Sequence, residues 1–389
     1  MNSKIKVLHI ITRLIVGGAQ ENTMLTIAGL NDLSYDAKLL SGPTTGPEGE
    51  IVTEVIGKGI ELSITPNLVR NINPLKDLRA FFDIYHFIKA GKYQIVHTHS
   101  SKAGILGRLA AYFAGVPVIV HTIHGLPYHP FQNFLINLFY IIAEKIAGYV
   151  SDSIIAVSSN NAENAISKHI APRFKFTVIR SGMKIPRFQA AAVKRTEMRK
   201  QLKISKDTKV LGVIARLFHL KGHKYLIRIA PNILKKYPDV KFLFIGDGIL
   251  RERLENLATS LRVRDRFIFA GLIPRDQVPD YISAMDIIVH PSLREGLARV
   301  IPQGFIMEKP VVIFDIDGAN ELVKSFKTGM LVEPRDTESL EKAIIYLLDN
   351  PDNAAEMVSR GKNIAITQFT EDKMVNDINK VYQKLIKRR

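Results

Sequence analysis

The chain of 389 residues is longer than one ordinary hydrophobic core accommodates, so we expect two domains. It contains no cysteine, which excludes disulfide frameworks, thiol catalysis and thiolate metal sites. Lysine and arginine total 54 against 37 aspartate and glutamate residues, a balance that favours partners with negative charge. Because the sequence shows neither a zinc-finger nor an RNP-like pattern, we expect no nucleic acid partner.

Ten short apolar runs, rich in valine and isoleucine, alternate with helical patterns along the chain. Continuous runs of this kind are typical of parallel strands that helices cover on both faces. The predicted strands span residues 6–12, 37–42, 93–99, 116–125, 153–158, 209–216, 240–248, 266–271, 286–292 and 309–315. This pattern predicts two doubly wound α/β domains, with ligands bound between them beyond the carboxyl ends of the strands.

No segment has the pattern of a transmembrane helix. The first apolar run is interrupted by Arg13 and lacks a small-residue cleavage site, so it predicts a strand and not a signal peptide. The most apolar window, residues 131–150, contains Glu144 and Lys145, which argue against a spanning helix. The overlapping segment 128–145 either packs its apolar side on the sheet or rests against an anionic lipid surface. We expect a cytoplasmic protein, with peripheral binding to the inner face of the plasma membrane as an open alternative.

Two of the predicted strand-end loops suit a phosphorylated ligand. Gly17 and Gly18 follow the first strand and allow a sharp turn close to a ligand, although a simple tight turn explains them equally well. Arg216 and Lys221 lie on one loop, where a guanidinium and an ammonium suit a pair of phosphates. The alternative for these two cations is ordinary solvated surface charge.

Four histidines lie at two neighbouring strand ends: His97, His99, His121 and His124. A metal site is conceivable there, but no nearby set of carboxylates completes it, and a buried histidine is the commoner outcome. His99 and His124, which stand at strand exits, are the better functional candidates. The spacing of Asp315 and Asp317 suits a divalent cation, yet no second acidic cluster accompanies them. We therefore expect no metal site.

Glu295 follows the ninth predicted strand, and Pro302 fixes where the next helix begins, because proline fits only the first turn. The helix is predicted to begin at 297–299, which places free N–H groups beside Glu295. Residues eight apart on a helix differ by roughly 80° in rotation, so Gln303 is predicted to share the ligand side with Glu295. A polyhydroxylated anion would satisfy these groups.

Ten motifs occur in order along the chain: GGAQ, HTH, HTIHG, IIAVS, ARLFHLKG, FIGDG, AGLIP, DIIVHPS, REGL and DGANELV. With the stretch REGLARVIPQGFIMEKPVV, they resemble the Glu-x7-Glu pattern of retaining glycosyltransferases of family 4, the group 1 glycosyltransferases. The resemblance implies a GT-B fold, in which two Rossmann-like domains face each other across a cleft. It implies an acceptor domain at 1–195, a nucleotide-sugar donor domain at 196–368 and a helix at 369–389 that crosses back to the first domain. The basic segment 189–209 is the predicted linker.

The resemblance also implies roles for individual residues. Glu295 would hold the hydroxyls of the donor sugar, His124 would lie near the anomeric carbon, and Arg216 and Lys221 would neutralise the leaving diphosphate. Further donor-binding residues would be Gly17, Gly18, Gly246, Asp247, Gly296, Leu297, Ala298 and Gln303. Acceptor-binding residues would be His99, Ser100 and Lys102. Gln303 departs from the family pattern, which has a second glutamate there, but an amide oxygen still accepts a hydrogen bond from ribose.

The implied reaction is transfer of a sugar from a nucleotide diphosphate sugar, expected to be a UDP-sugar, to a hydroxyl with retention at the anomeric carbon. The expected acceptor is a lipid-linked saccharide of cell-surface polysaccharide synthesis, and an anionic membrane surface is a further expected partner. No second acid is evident near Glu295, which agrees with a front-face mechanism that needs no metal and no cofactor. Two alternatives stay open: a GT-B nucleotide-sugar epimerase, and a catalytically silent scaffold that binds carbohydrate or membrane.

Overall fold

The computed structural model describes residues 4–33, 35–44 and 49–388. The chain divides into two compact units. Unit 1 comprises Met1–Gly182 and Glu371–Arg389, and unit 2 comprises Met183–Thr370. Each unit is an α/β fold with its own hydrophobic core, as the alternation of apolar runs and helical patterns predicts.

Within the described part of unit 1, seven parallel strands form one sheet in the order β3-β2-β1-β4-β5-β6-β7. The strands are β1 (Ile5–Ile11), β2 (Tyr35–Ser41), β3 (Leu62–Ile64), β4 (Ile95–His99), β5 (Val118–Ile123), β6 (Ser153–Ala156) and β7 (Phe176–Val178). The helices between them are α1 (Gly18–Asp32), α2 (Val52–Gly57), α3 (Pro74–Gly91), α4 (Ser101–Ala114), α5 (Phe134–Tyr149) and α6 (Ser159–Ser167). The strand order reverses between β1 and β4, which is where doubly wound sheets bind ligands.

Unit 2 has a six-stranded parallel sheet in the order β10-β9-β8-β11-β12-β13. Its strands are β8 (Val210–Ile214), β9 (Lys241–Ile245), β10 (Phe267–Gly271), β11 (Ile287–His290), β12 (Val311–Phe314) and β13 (Met330–Val332). Its helices are α7 (Ile185–Ala191), α8 (Arg195–Gln201), α9 (His223–Lys236), α10 (Arg251–Ser260), α11 (Val278–Ala284), α12 (Val300–Ile306), α13 (Ala319–Leu322), α14 (Thr337–Asp349) and α15 (Pro351–Gln368). The order here reverses between β8 and β11.

All ten predicted strands are confirmed, and the described residues contain three further strands that the apolar pattern does not predict. The missed strands β3, β7 and β13 have three residues each and stand at the edges of their sheets. The side chains of β3 and β7 are partly or fully exposed, so these segments lack the continuous apolar run that marks a buried parallel strand.

The last helix, α16 (Glu371–Ile386), packs in unit 1 although it follows unit 2 in sequence, as predicted. Its buried side, which includes Val375 and Tyr382, joins the core cluster that contains β1 and α1 residues. Close approach to α1 depends on Gly29, because a Cβ there would lie 2.6 Å from a methyl group of Val375. The apolar stripe of α16 therefore finds its partner in the first unit of the chain.

The segment 189–209 is not a linker. It contains the end of α7, a 3₁₀ turn at Ala192–Lys194 and α8, and α7 and α8 both pack against α11 of unit 2. The division between the units falls after Gly182, so the predicted boundary between residues 195 and 196 lies inside unit 2. Arg199 explains the error. A charged residue predicts exposure to solvent, but Arg199 is buried, and its guanidinium donates to four backbone carbonyls and to Asp286.

Helix α5 has its polar and apolar sides reversed relative to an ordinary surface helix. Its buried residues are Glu144, Ala147 and Gly148, and Glu144 forms an ion pair of 2.6 Å with fully buried Arg108 of α4. The large apolar side chains of α5 point outward instead, with Phe134 74% and Leu135 70% exposed. The interpretation in which this apolar side packs on the sheet is therefore wrong. No helix among the described residues is both long enough and apolar enough to cross a membrane.

We expect Arg199→Met to lower the free energy of unfolding of unit 2 by about 3 kcal/mol, because it removes one partner of a buried ion pair and leaves carbonyls unpaired. Arg195→Met is the matched control, since Arg195 pairs with the same carboxylate, Asp286, but has a one-third exposed side chain. Its loss should be about 1 kcal/mol. Urea denaturation followed by circular dichroism measures both, and equal losses would contradict a special role for Arg199.

Candidate active site

A charged cluster stands where the strand order of unit 2 reverses. Lys221, in the loop after β8, places its Nζ 2.6 Å from Oε1 of Glu295, in the loop after β11. The same carboxylate oxygen lies 3.0 Å from Nε2 of His290, the last residue of β11. The topology thus brings together two residues that the sequence analysis singled out separately. It adds His290. This histidine stands at a strand end, the position that made His99 and His124 functional candidates, so the same criterion applied to the sequence would have found it.

Backbone contacts hold the two loops of this cluster together. The amide of Leu293 donates to the carbonyl of Leu220 at 2.8 Å, and the Ser292 hydroxyl donates to the same carbonyl at 3.1 Å. Gly222 has φ of 74°, and a Cβ there would lie 1.7 Å from the carbonyl oxygen of Pro291. Glycine at 222 is therefore required for the close approach that puts Lys221 beside Glu295.

The Glu295 carboxyl is held in its ionised form. Burial by itself would raise its pKa, but the Lys221 ammonium and the hydrogen bond from His290 outweigh burial and hold the pKa well below the usual range. Asp317 accepts a hydrogen bond of 2.5 Å from the backbone amide of Glu295, and burial raises the pKa of Asp317. The expectation that no second acid lies near Glu295 is therefore wrong. The contact that Asp317 makes positions the Glu295 loop.

The loops after β8 and β9 are joined in the same way. The amide of Leu217 donates to the carbonyl of Asp247 at 3.0 Å, and the guanidinium of Arg216 lies 5.1 Å from the centre of the Phe218 ring. Gly246 has φ of 129°, which favours glycine. The Asp247 carboxylate accepts from the amide of Gly248 and from Arg251, both at 2.8 Å. The carboxylate thus organises its own loop.

Helix α12 begins at Val300, after the predicted start at 297–299. Gly296, Leu297 and Ala298 consequently lie in the loop before the helix, and the Ala298 carbonyl accepts from the amide of Ile301 at 3.1 Å. Pro302 does occupy the first turn, as predicted. Gln303 is partly buried on the helix, but Glu295 lies outside it. The rotation of 80° that was expected to relate these two residues does not apply.

The predicted residues of unit 1 stand at the ends of β1, β4 and β5. Gly17 is the N-cap of α1, and Gly18 is the first residue of that helix. Ser100 precedes α4 with φ of 61°, a conformation uncommon outside glycine, and its hydroxyl lies 2.8 Å from the Thr12 hydroxyl. Lys102 contacts the Asp77 carboxylate and the Asn71 carbonyl. Its ammonium is therefore engaged within unit 1.

His99 has no exposed surface, contrary to what an acceptor-binding role requires. One ring nitrogen lies 2.9 Å from His9, and the other lies 3.0 Å from His124. His121 lies on the opposite face of the sheet, where it contacts Thr98 at 2.9 Å and where a Cβ at Gly104 of α4 would lie 2.5 Å from its ring. The four histidines named from the sequence therefore do not form one cluster.

A different trio, His9, His97 and His99, brings three ring nitrogens within 4.8 Å of one another. His9 escaped the sequence analysis because it lies in the middle of the first predicted strand. All three rings are completely buried, and burial lowers the pKa of His9 to about 3 and the pKa values of His97 and His99 well below their usual value. Each ring already has hydrogen-bond partners, so the trio forms a neutral hydrogen-bonded network.

Comparison with known proteins agrees with this architecture. The family described as "Glycosyltransferase Family 4" matches residues 16–185, and "Glycosyl transferases group 1" matches residues 194–364. The solved structure of Anabaena HepE in complex with UDP-glucose superposes with a TM-score of 0.84 at 23% identity, over 98% of this chain and 100% of that one. The fold is therefore GT-B.

Relatives with curated functions identify the family. The chain is 30% identical to UDP-Gal:alpha-D-GlcNAc-diphosphoundecaprenol alpha-1,3-galactosyltransferase of Escherichia coli over 385 residues, which cover 98% of this chain and 97% of the relative. It is 25% identical to the capsular polysaccharide biosynthesis glycosyltransferase CapM of Staphylococcus aureus over 344 residues, 86% of this chain and 90% of the relative. The chain belongs to glycosyltransferase family 4, the group 1 glycosyltransferases, and is an enzyme of the hexosyltransferase type.

We expect Lys221→Met to raise the pKa of Glu295, because the largest stabilising charge is removed while burial persists. In the native protein the ionised carboxylate stabilises unit 2 at neutral pH, and this contribution is lost only as the pH falls through the depressed pKa. Carbon-13 NMR titration of labelled glutamate, with Glu295→Gln to assign the signal, measures the change. Lys224→Met, on the exposed side of α9, is the control. The same Glu295 titration in Lys221→Met and in wild type would contradict the pairing.

Proposed function

We propose that this enzyme transfers a hexose from a UDP-sugar to a hydroxyl of a lipid-linked saccharide, with retention of configuration at the anomeric carbon. The observation that carries the proposal is the Lys221–Glu295–His290 cluster at the switch point of unit 2. The Escherichia coli relative supports the substrate class, since its name specifies UDP-Gal and a diphosphoundecaprenol acceptor. Solved relatives of the same fold bind UDP and UDP-glucose.

In this proposal unit 2 binds the donor. An incoming diphosphate competes with Glu295 for the Lys221 ammonium, and Arg216 supplies a second cation. Glu295 is ionised, so both carboxylate oxygens accept hydrogen bonds from sugar hydroxyls. Gln303 accepts from a ribose hydroxyl, and a neutral bond there contributes about 1 kcal/mol against roughly 1.5–3 for a charged one.

Further contacts complete the proposed donor site. The amides of Gly296, Leu297 and Ala298 face the donor sugar from the loop beside Glu295, and the turn at Gly246 and Asp247 lies near the nucleotide. The turn at Gly17 and Gly18 approaches the donor phosphates. His124 lies near the anomeric carbon, and Ser100 lies near the acceptor.

The proposed chemistry is a front-face displacement. The bond from the anomeric carbon to the diphosphate oxygen breaks, and the acceptor oxygen bonds to the same face of an oxocarbenium-like carbon. The acceptor proton passes to the departing diphosphate, so no protein base is required. Lys221 and Arg216 stabilise the charge that develops on the leaving group, which is the main contribution of the protein. Asp317 holds the Glu295 loop through the backbone and takes no part in bond making.

The decisive assay measures transfer from a panel of labelled sugar nucleotides, with slow donor hydrolysis as a readout where the acceptor is unknown. We expect Glu295→Gln and Lys221→Met each to lower turnover by about a hundredfold or more, because each removes charge from the transition-state site. Lys224→Met should leave turnover unchanged. Near-normal turnover in both site variants would overturn the assignment. Conversion of a sugar nucleotide to its epimer without acceptor would instead identify an epimerase, and the anomeric signal of the product tests retention.

We also propose that α5 rests on an anionic lipid surface, which would bring unit 1 to a lipid-linked acceptor. The exposed apolar residues of α5 follow helical spacing along one side: Leu135, Leu138, Phe139, Ile142, Ile146 and Tyr149. Lys145 is exposed on the same helix, and the whole chain carries a formal net charge of +17. An apolar side bordered by positive charge is typical of helices that lie in the lipid interface.

Flotation with phosphatidylglycerol vesicles tests this surface at low and high salt. We expect Leu135→Ser/Phe139→Ser to weaken binding by about 3 kcal/mol, roughly a hundredfold, since two large apolar side chains no longer enter the lipid. Phe174→Ser is the matched control, because Phe174 is 81% exposed in unit 1 outside α5. Equal binding of the double variant and the wild type to the vesicles would contradict the proposal. Self-association that the double variant abolishes, without vesicle binding, would assign α5 to contact between copies of the chain.

A further inference from the structure

Lys221 and His290 contact the Glu295 carboxylate at the same oxygen. Nζ of Lys221 lies 2.6 Å from Oε1 of Glu295, and Nε2 of His290 lies 3.0 Å from that atom. Among the described residues, none donates a hydrogen bond to the other oxygen, Oε2. The carboxylate is therefore held by one oxygen, while the second oxygen keeps its full capacity to accept hydrogen bonds from a ligand.

Charge fixes the direction of the hydrogen bond between His290 and Glu295. Glu295 is ionised, because its pKa is held well below the usual range, and an ionised carboxylate only accepts hydrogen bonds. Nε2 of His290 therefore carries the hydrogen. Nδ1 of the same ring is buried and has no hydrogen-bond partner within the described part of the chain. The imidazole thus directs its hydrogen bonding at Glu295.

His290 and Lys221 differ in how freely their polar atoms move. His290 is the last residue of β11, its backbone pairs with Ile313 of β12, and its side chain is almost completely buried. Lys221 lies in a loop, its side chain is partly exposed, and its ammonium stands on a flexible four-carbon stem. An approaching diphosphate can therefore draw the Lys221 ammonium away, whereas His290 keeps its place.

A rigid donor matters most once the lysine has moved. When a buried ion pair loses one partner, the remaining charge is left uncompensated, which is unfavourable. A hydrogen bond to a charged group is stronger than one between neutral groups, so a donor that stays in place offsets part of this loss. The Nε2–H group of His290 is such a donor, and it acts on Oε1, the oxygen that Lys221 would release.

We propose that His290 is a positioning residue that holds Oε1 of Glu295 while Lys221 turns to the donor diphosphate, so that Oε2 stays directed at the sugar. The exchange of Lys221 between carboxylate and diphosphate rests on the proposed function, whereas the hold of His290 on Glu295 exists in the free protein. Asp317 differs from His290, because it contacts Glu295 at the backbone amide and leaves the carboxylate untouched. Polar groups behind a ligand-binding carboxylate commonly fix its orientation.

Two amide variants distinguish the two ring nitrogens of His290. Both amides donate hydrogen bonds, but glutamine, one methylene longer, reaches the place of the histidine Nε2, whereas asparagine reaches only the place of Nδ1. Carbon-13 NMR titration of Glu295 in the Lys221→Met background imitates the released lysine without any ligand. Compared with His290→Gln, His290→Asn should raise the ratio of protonated to ionised Glu295 at a given pH by roughly tenfold.

Equal titration of Glu295 in the two amide variants would overturn the proposal, because the place of the donor would then be irrelevant. Nitrogen-15 NMR of labelled histidines gives a second measurement on the wild type, with His290→Gln to assign the signal. We expect the hydrogen of His290 on Nε2. A lone pair on Nε2 would overturn the proposal without reference to the folding of any variant.

Calorimetric binding with Lys221 in place tests the direction of Oε2. The probes are UDP and whichever of UDP-glucose and UDP-galactose the wild type binds more tightly. His290→Asn should bind UDP as the wild type does and the UDP-hexose roughly tenfold more weakly, while His290→Gln follows the wild type for both. Equal weakening for UDP and the UDP-hexose would overturn the positioning role. Failure of the wild type to bind either probe, with the expected NMR results, would reject the proposed function and keep the hold of His290 on Glu295.

Discussion

The parallel order of the strands is the constraint on which the rest of this structure depends. Parallel strands all end at the same edge of a sheet, and a reversal of strand order separates the two loops at that point. The reversal between β8 and β11 places Lys221 against Glu295, although they lie 74 residues apart in sequence. In unit 1 the pairing of β1 with β4 puts His9 beside His97 within the sheet itself.

The two units stabilise their polar groups by different means. In unit 2 the Lys221–Glu295 pair keeps both charges, because each side chain is about one-fifth exposed and the opposite charge offsets the cost of burial. In unit 1 His9, His97 and His99 are fully buried and stay uncharged, because burial penalises the charged form of each imidazole. The first arrangement suits binding of an anion, and the second suits the orientation of a neutral hydrogen-bonding group.

Helix α5 shows how tertiary structure reverses a pattern that is visible in the sequence. Its apolar residues predict burial by hydropathy, and its Glu144 predicts exposure. Buried Arg108 on the neighbouring helix supplies the partner that makes the opposite arrangement stable. Arg199 in the predicted linker is a second example, since the Ala284 carbonyl and the Asp286 carboxylate accept its hydrogen bonds. In both cases the deciding partner lies on another element, where local composition carries no information about it.

The sequence by itself determined the α/β class, the ten principal strands, the family and the presence of Glu295 and Lys221 at strand ends. Apolar runs and strand-end motifs carry this information because they are local. Tertiary structure alone decided that α12 begins after the predicted residues, that His290 completes the charged cluster and that His99 is buried beyond reach of an acceptor. It also brought the Tyr382 hydroxyl within hydrogen-bond distance of His97, although 285 positions separate the two residues in sequence. Such contacts depend on strand order and helix packing, which bring distant residues together only when the whole unit has folded.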